Sequence, residues 1–240
     1  MEPERDFLSA AESSPNVQQA VREFVISMEQ GYLRGKFFQV VADGTCPESV
    51  KAFLGGPFAQ MRAPFSRWLA TVIARFPDHA ETEAFAYNLR DEFGEEPGRP
   101  SHAALYRRLI DELGVQVEEG KVSTPAISSS EAARAVKESC ERVVASESLA
   151  YLAGFFAGFE ATDGPDFTRL GVAVRQIWPD RPDLHEFFHT HAISDHDIKF
   201  VANLNPLFLQ QKPEFLRGMD DFLKLWTKFY EQATQEVGLN

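Results

Sequence analysis

Cysteine, long apolar runs and basic charge are all scarce in this chain. Only Cys46 and Cys140 occur among its 240 residues, without metal-type spacing, so we expect a reducing, cytoplasmic location and no disulfide framework. No apolar run reaches the roughly 18 residues that span a bilayer, because the longest candidate contains Gly154 and Gly158 and ends at Glu160. The acidic start, "MEPERDFLSAAESS", does not fit a secretory signal. We therefore expect no membrane partner.

The net charge of the chain further limits the classes of binding partner. The chain has 24 lysines and arginines against 36 aspartates and glutamates, a net charge of −12. Such a surface repels phosphate backbones, so we expect no nucleic-acid partner and favour a small molecule or a cation. The 21 phenylalanines indicate a core with many aromatic walls, which suits either a buried pocket or close packing alone.

The fold class follows from the hydrophobic pattern. Strand-like alternation of useful length is absent, and helical periodicity predicts about eight helices joined by short links. The pattern predicts a kink near Gly31 to Gly35, and separate helices on either side of Pro165. The polar connection at 115–130 could divide two domains, but each half has few helices. We therefore predict a single all-α domain over residues 1–240, with residues 1–15 loosely attached.

One stretch concentrates groups that bind metals. The sequence "FFHTHAISDHDIKF", residues 187–200, holds three of the six histidines. In a helix, His191 and Asp195 are four residues apart and share a face, whereas His196 and Asp197 point elsewhere. One imidazole with one carboxylate suits iron, manganese or zinc. A pair is too few ligands, so other helices must contribute.

Three residues elsewhere are candidates for completing the site. Glu92 follows Phe85 and Leu89 by seven and three positions, which places it beside a buried helical stripe. Glu160 ends an apolar run, where a carboxylate is costly to bury unless it is paired or metal-bound. His102 opens a helix that Ser101 can cap. Carboxylates and histidines that converge from several helices are typical of di-iron carboxylate proteins.

The segments "NLRDEFG", "HAALYRRLIDELG", "FAGFE" and "FFHTHAISD" occur in an order that resembles a known family. Over roughly residues 20–230, the chain is similar to the heme-oxygenase-like di-iron oxidases and oxygenases. These are related in fold to thiaminases and to the cofactorless oxidase of pyrroloquinoline quinone synthesis. The resemblance implies a multi-helical bundle in which Glu92 and His102 form one half of the site. Glu160, His191 and Asp195 would form the other half.

The resemblance fails at one ligand position. The family pattern has a second histidine three residues after the aspartate, where this chain has Ile198, which cannot bind a metal. His196 could substitute, as a weaker candidate, if the helix is distorted. Alternatively, one iron is completed by water or substrate, or the protein binds one metal or none.

The resemblance implies a function as well. The expected activity is that of a non-heme oxidase or oxygenase with two Fe²⁺ ions, the second held weakly, and O₂ as co-substrate. Its substrate would be a small metabolite of specialised metabolism, such as an amino acid or a fatty-acid-like molecule. The alternatives are a cofactorless oxidase, a thiaminase-like hydrolase with Cys140 as nucleophile, or a helical binding protein without activity. A homodimer through the C-terminal helix is a further expectation.

Other residues are less specific candidates. Four arginines could pair with a substrate carboxylate, and the sequence selects none of them: Arg62, Arg67, Arg107 and Arg175. His185 and His189 are also four residues apart, and we expect them on a solvated helix face outside the site.

Overall fold

Helices account for nearly all of the ordered elements. A computed structural model describes residues 6–77, 79–94, 100–118, 121–123, 129–145, 148–192 and 201–239. Its α-helices are α1 Phe7–Ala11, α2 Val17–Gln30, α3 Lys36–Asp43, α4 Pro47–Phe53, α5 Ala59–Arg62, α6 Phe65–Ile73, α7 His79–Phe93, α8 His102–Glu112, α9 Glu131–Val144, α10 Leu149–Ile177, α11 Pro182–Ala192, α12 Asn205–Gln210 and α13 Lys212–Glu236. A 3₁₀ turn spans Tyr32–Arg34, and a π-helical turn spans Leu54–Phe58. The strands are β1 Gln116–Glu118 and β2 Lys121–Ser123.

The all-α class is confirmed, and the described helices outnumber the roughly eight predicted. The predicted kink is a full interruption, because the 3₁₀ turn at Tyr32–Arg34 separates α2 from α3. The polar connection contains an antiparallel pair that was not predicted, in which Val117 lies opposite Val122. Strands of three residues are too short to produce a readable alternation.

Helix α10 corrects the prediction of two helices around Pro165. It runs without interruption for 29 residues and contains that proline. Proline lacks the N–H that would bond the carbonyl four residues back, so it normally kinks or ends a helix. Here α10 packs extensively against α11 and α13, and this tertiary packing outweighs the local penalty.

The position of α10 at the centre of the bundle explains its buried carboxylates. Residues 152–163 are buried without a break, so the helix has no solvent-facing side along this stretch. Phe155 packs against Phe222 and Phe159 against Trp226, with ring centroids 5.2 Å and 5.4 Å apart. Although α10 is the longest helix, none of the helices in the described ranges is long and apolar enough to cross a membrane.

A second buried carboxylate on α10 ties three parts of the chain together. Asp166 accepts hydrogen bonds from the hydroxyls of Tyr32 and Tyr230, at 2.8 Å and 2.9 Å, and from Nε1 of Trp226 at 2.8 Å. Burial raises the pKa of Asp166 to about 7, although the three hydrogen bonds act in the opposite direction. This polar cluster lies inside an aromatic core, where Tyr32 and Tyr230 stack at 5.1 Å.

Helix α1 lies in the N-terminal segment for which a loose attachment was predicted. Its Phe7 and Ala11 are buried, and Phe7 packs edge-on against Phe24 of α2. Residues 1–5 lie outside the described part of the chain. The extent of the domain, residues 1–240, stays a prediction.

Candidate metal centre

Four helices bring predicted site residues into the interior. Glu92 ends α7, His102 begins α8, Glu160 lies midway along α10 and His191 is near the end of α11. All four are buried, with 3–5% of each residue exposed. The predicted cap is present, because Ser101 Oγ accepts a hydrogen bond from the Ala104 amide. That cap fixes where α8 starts, and so places His102 at the interior end of the helix.

Three of these residues converge on one point. Glu92 Oε1 lies 3.3 Å from His102 Nδ1 and 3.9 Å from His191 Nε2. One donor atom from each residue lies within 4.8 Å of the others. Metal–ligand bonds of about 2.0–2.3 Å separate neighbouring ligand atoms by about 3–4 Å, so this arrangement fits a single transition-metal ion. Two imidazoles with one carboxylate form the ligand set of many non-heme Fe(II) oxygenases.

The orientation of His191 would suit a metal ligand. Its Nδ1 lies 2.8 Å from the carbonyl oxygen of Phe187, which can only accept, so Nδ1 carries the proton and Nε2 presents its lone pair to Glu92. The ring stacks on Phe167, with centroids 4.4 Å apart and planes 13° apart. Burial lowers the pKa of His191 to about 4, which keeps the imidazole neutral and able to coordinate.

The structure selects one arginine that the sequence could not. Arg62 ends α5 and is buried, whereas Arg67, Arg107 and Arg175 are exposed. Its Nη2 donates to Glu92 Oε1 at 2.9 Å, the same oxygen that faces both histidines. The burial of this guanidinium in the site was missed because sequence periodicity does not locate it.

The neighbouring charges of Arg62 and Glu92 shift the pKa values of both groups. Burial alone would lower its pKa, but the charges of Glu92, Asp163 and Glu160 outweigh burial and raise it. Burial likewise would raise the pKa of Glu92, but the charge of Arg62 and the hydrogen bond from His102 hold it well below its usual range. Arg62 and Glu92 are therefore a charged pair in the metal-free protein.

Asp163 is a second residue that the sequence interpretation missed. It lies one turn after Glu160 on α10 and is 9% exposed. The sequence feature that could have revealed it is the three-residue spacing of the acidic residues at 160, 163 and 166, in a segment with few other charges. Because α10 is surrounded by other helices, this acidic row lies inside the bundle.

The remaining predicted ligands fall into two groups. Asp195 and His196 lie outside the described residues, as does Ile198. Glu160 is buried and its charge acts on Arg62, but it does not belong to the group whose donor atoms lie within 4.8 Å.

The other histidines and Cys140 have different environments. His189 is exposed, and His185 Nε2 contacts the carbonyl of Trp178 at 2.9 Å, consistent with the prediction that neither belongs to the site. Cys140 is fully buried in α9, and burial raises the pKa of its thiol. A thiol held in the protonated form is a poor nucleophile, which disfavours a thiaminase-like role for it.

A comparison with protein families identifies the family to which the chain belongs. Residues 57–226 match a family described as iron-containing redox enzymes. The chain belongs to this family. The matched segment of this iron-containing redox enzyme family includes all the candidate ligands and begins after α4. No curated protein matches the chain.

The first of two similar solved structures supports the fold of this family member. Two crystal structures of a CADD-like protein of unknown function from Nostoc punctiforme are similar to it, at 18% identity over 95% of this chain. The match covers 95% of the first solved chain, with a TM-score of 0.51, and 93% of the second, with a TM-score of 0.49. The predicted resemblance and the heme-oxygenase-like bundle are confirmed.

Proposed function

We propose that this protein is a non-heme iron oxidase or oxygenase that uses O₂ to oxidise a small metabolite, such as an amino acid or a fatty-acid-like molecule. One observation carries the proposal: Glu92, His102 and His191 present three donor atoms within 4.8 Å of one another in a buried site. The family description, iron-containing redox enzyme, supports iron as the metal. Bound ferrous iron would supply the one-electron chemistry that reaction with O₂ requires.

The side chains around the three ligands have distinct roles. The carbonyl of Phe187 fixes the ring of His191, so that Nε2 faces the metal position. The rings of Phe167 and Phe187 contact this imidazole and exclude water from one side of it. Exclusion of water protects reactive species from hydrolysis and strengthens every charge interaction within the site. Glu92 contributes the negative charge that favours a divalent ion.

A second iron was expected from the sequence, held by Glu160, His191 and Asp195, with His196 as a weaker candidate. Of these, Glu160 and His191 are described: His191 lies with Glu92 and His102, and Glu160 is buried within range of the charge of Arg62. The guanidinium of Arg62 would compete electrostatically with a second ion near Glu160.

The test is anaerobic loading of the full-length protein with ferrous iron, followed by O₂-uptake assays on panels of amino acids and fatty acids. We expect bound iron and O₂ uptake that depends on one substrate class. His191→Ala should lose both, whereas the exposed His189→Ala should retain both. Absence of bound iron, or turnover that is equal with and without iron, would reject the proposal in favour of a cofactorless oxidase or hydrolase.

A further inference from the structure

Arg62 occupies a position in which it competes directly with metal ions. Its Nη2 donates to Glu92 Oε1, and both His102 Nδ1 and His191 Nε2 lie within 4 Å of that oxygen. A metal ion bound by all three ligands must share this oxygen with the guanidinium or displace it. The guanidinium is therefore part of the metal centre.

Aromatic rings hold the guanidinium in this place. Its central carbon lies 4.4 Å from the ring centroid of Phe65, 5.8 Å from that of Phe187 and 6.0 Å from that of Phe167. Ring faces attract a cation and offer no alternative hydrogen bonds, so Arg62 stays charged and stays near the carboxylates. Only 6% of its side chain is exposed, which leaves little route to solvent.

The charges of the described residues bear on how many divalent ions the site would favour. With all three carboxylates ionised, Glu92, Glu160 and Asp163 would contribute three negative charges and Arg62 one positive charge, so the sum would be 1 − 3 = −2. One divalent ion brings this group to zero, whereas two would leave it at +2. Buried net charge is strongly unfavourable in either sign, so the described residues favour a single divalent ion.

We propose that Arg62 is a built-in second cation of this site, and that the chain binds one divalent metal ion where a di-iron protein binds two. The ion is held by Glu92, His102 and His191, while Arg62 balances Glu160 and Asp163. This inference rests on the proposed function for the presence of one iron. In this proposal, Arg62 takes the place of the weakly held second iron that was expected from the sequence. Because a guanidinium cannot change oxidation state, only the single bound iron would be redox-active.

Metal stoichiometry tests this proposal independently of activity. The full-length wild type and its variants are titrated anaerobically with ferrous iron, desalted, and measured for iron per chain, with Mössbauer spectra of ⁵⁷Fe-loaded samples. We expect one iron and one ferrous doublet in the wild type. Arg62→Met should bind two irons and show two doublets, because it removes the competing charge. Arg62→Lys, which keeps the charge, should bind one.

The controls separate a specific effect from a structural one. Arg67→Met removes an exposed arginine five residues away and should bind one iron. Circular dichroism melting identifies any variant that fails to fold. If Arg62→Met fails, Arg62→Gln keeps a hydrogen-bond donor without the charge and should also bind two irons.

Each outcome decides between the two proposals. Two irons in the wild type overturn the role of Arg62 but leave the iron oxidase proposal standing. One iron in the wild type and in both neutral variants shows that something other than Arg62 limits the count. A folded neutral variant without iron shows that Arg62 builds the site, which also overturns the inference. No iron in the wild type rejects both proposals.

Discussion

Gly154 of α10 and Gly218 of α13 each face the backbone of the other's helix. A Cβ atom added at Gly154 would lie 1.9 Å from the carbonyl oxygen of Phe215, and one added at Gly218 would lie 2.2 Å from that of Tyr151. These distances are far shorter than any van der Waals contact. The two longest helices therefore cross so closely that only glycine fits at the crossing point.

We expect Gly154→Ala to destabilise the protein by about 1–3 kcal/mol or more, because the neighbouring backbone must move to admit a methyl group. Gly158→Ala is the matched variant on the same helix. Its added Cβ would meet the side chain of Phe222 at 3.1 Å, which can shift more easily than backbone. Urea denaturation should rank Gly154→Ala as the less stable of the two. The reverse order would show that the helices can separate at little cost.

Removal of the charge of Glu92 should weaken the metal-free fold. Glu92→Gln leaves the buried guanidinium of Arg62 without its 2.9 Å anionic partner, at a cost on the order of 3 kcal/mol. Glu83→Gln neutralises an exposed carboxylate on the same helix and should change stability by less than about 0.5 kcal/mol. Unfolding midpoints of both variants in the presence of a chelator provide the measurement. Equal midpoints would argue that the Arg62–Glu92 pair contributes nothing to stability.

The two histidines at the end of α11 should differ in metal affinity. Loss of an outer-shell partner already lowers metal affinity by about 10–100-fold, so loss of a direct ligand in His191→Ala should cost at least about 10-fold. His189→Ala changes an exposed ring and should retain wild-type affinity. Competition titration of ferrous iron against a chromophoric chelator measures both. Weaker binding in His189→Ala than in His191→Ala would place the metal on the opposite face of α11.

Asp166 should make the fold less stable as pH rises towards neutrality. Its pKa is raised from 3.8 to about 7 by burial, so between these values the folded state binds a proton that the unfolded state has released. That contribution is fully present below about pH 4 and is lost as pH rises through about 7. Asp166→Asn lacks it.

The comparison requires unfolding free energies of the wild type and Asp166→Asn across this pH range. The difference between them should shrink steadily from about pH 4 to about pH 7, because only the wild type loses stability from this group. Asp180→Asn, at an exposed carboxylate, should run parallel to the wild type. A constant difference for Asp166→Asn would show that Asp166 ionises in the folded state as it does in the unfolded chain.

Helical periodicity was sufficient to predict the all-α class and the burial of Glu92. The residue follows Phe85 and Leu89 at helical spacing, and helix α7 buries it at 5% exposure. Periodicity reports which face of a helix is apolar, and the interior lies on that face. The same reasoning placed Glu160 inside, because the run before it has no polar side.

Other features depended on contacts between distant segments. The continuity of α10 through Pro165 reflects packing against two neighbouring helices, which outweighs the local preference of proline. The role of Arg62 reflects a pairing with Glu92, thirty residues later. A buried arginine has the same sequence signature as an exposed one, so only the folded chain distinguishes it from Arg67.

The hydrogen bonds on Asp166 set the angular position of α10 about its own axis. Asp166 follows Glu160 by six residues, or about 9 Å along the helix. Its donor Tyr32 lies 134 residues earlier in the chain, and its other two donors lie on α13. Any rotation of α10 would stretch all three bonds together, so the direction in which Glu160 and Asp163 point is inherited from this distant anchor. The placement of the acidic groups whose charges act on Arg62 therefore depends in part on Tyr32, far earlier in the chain.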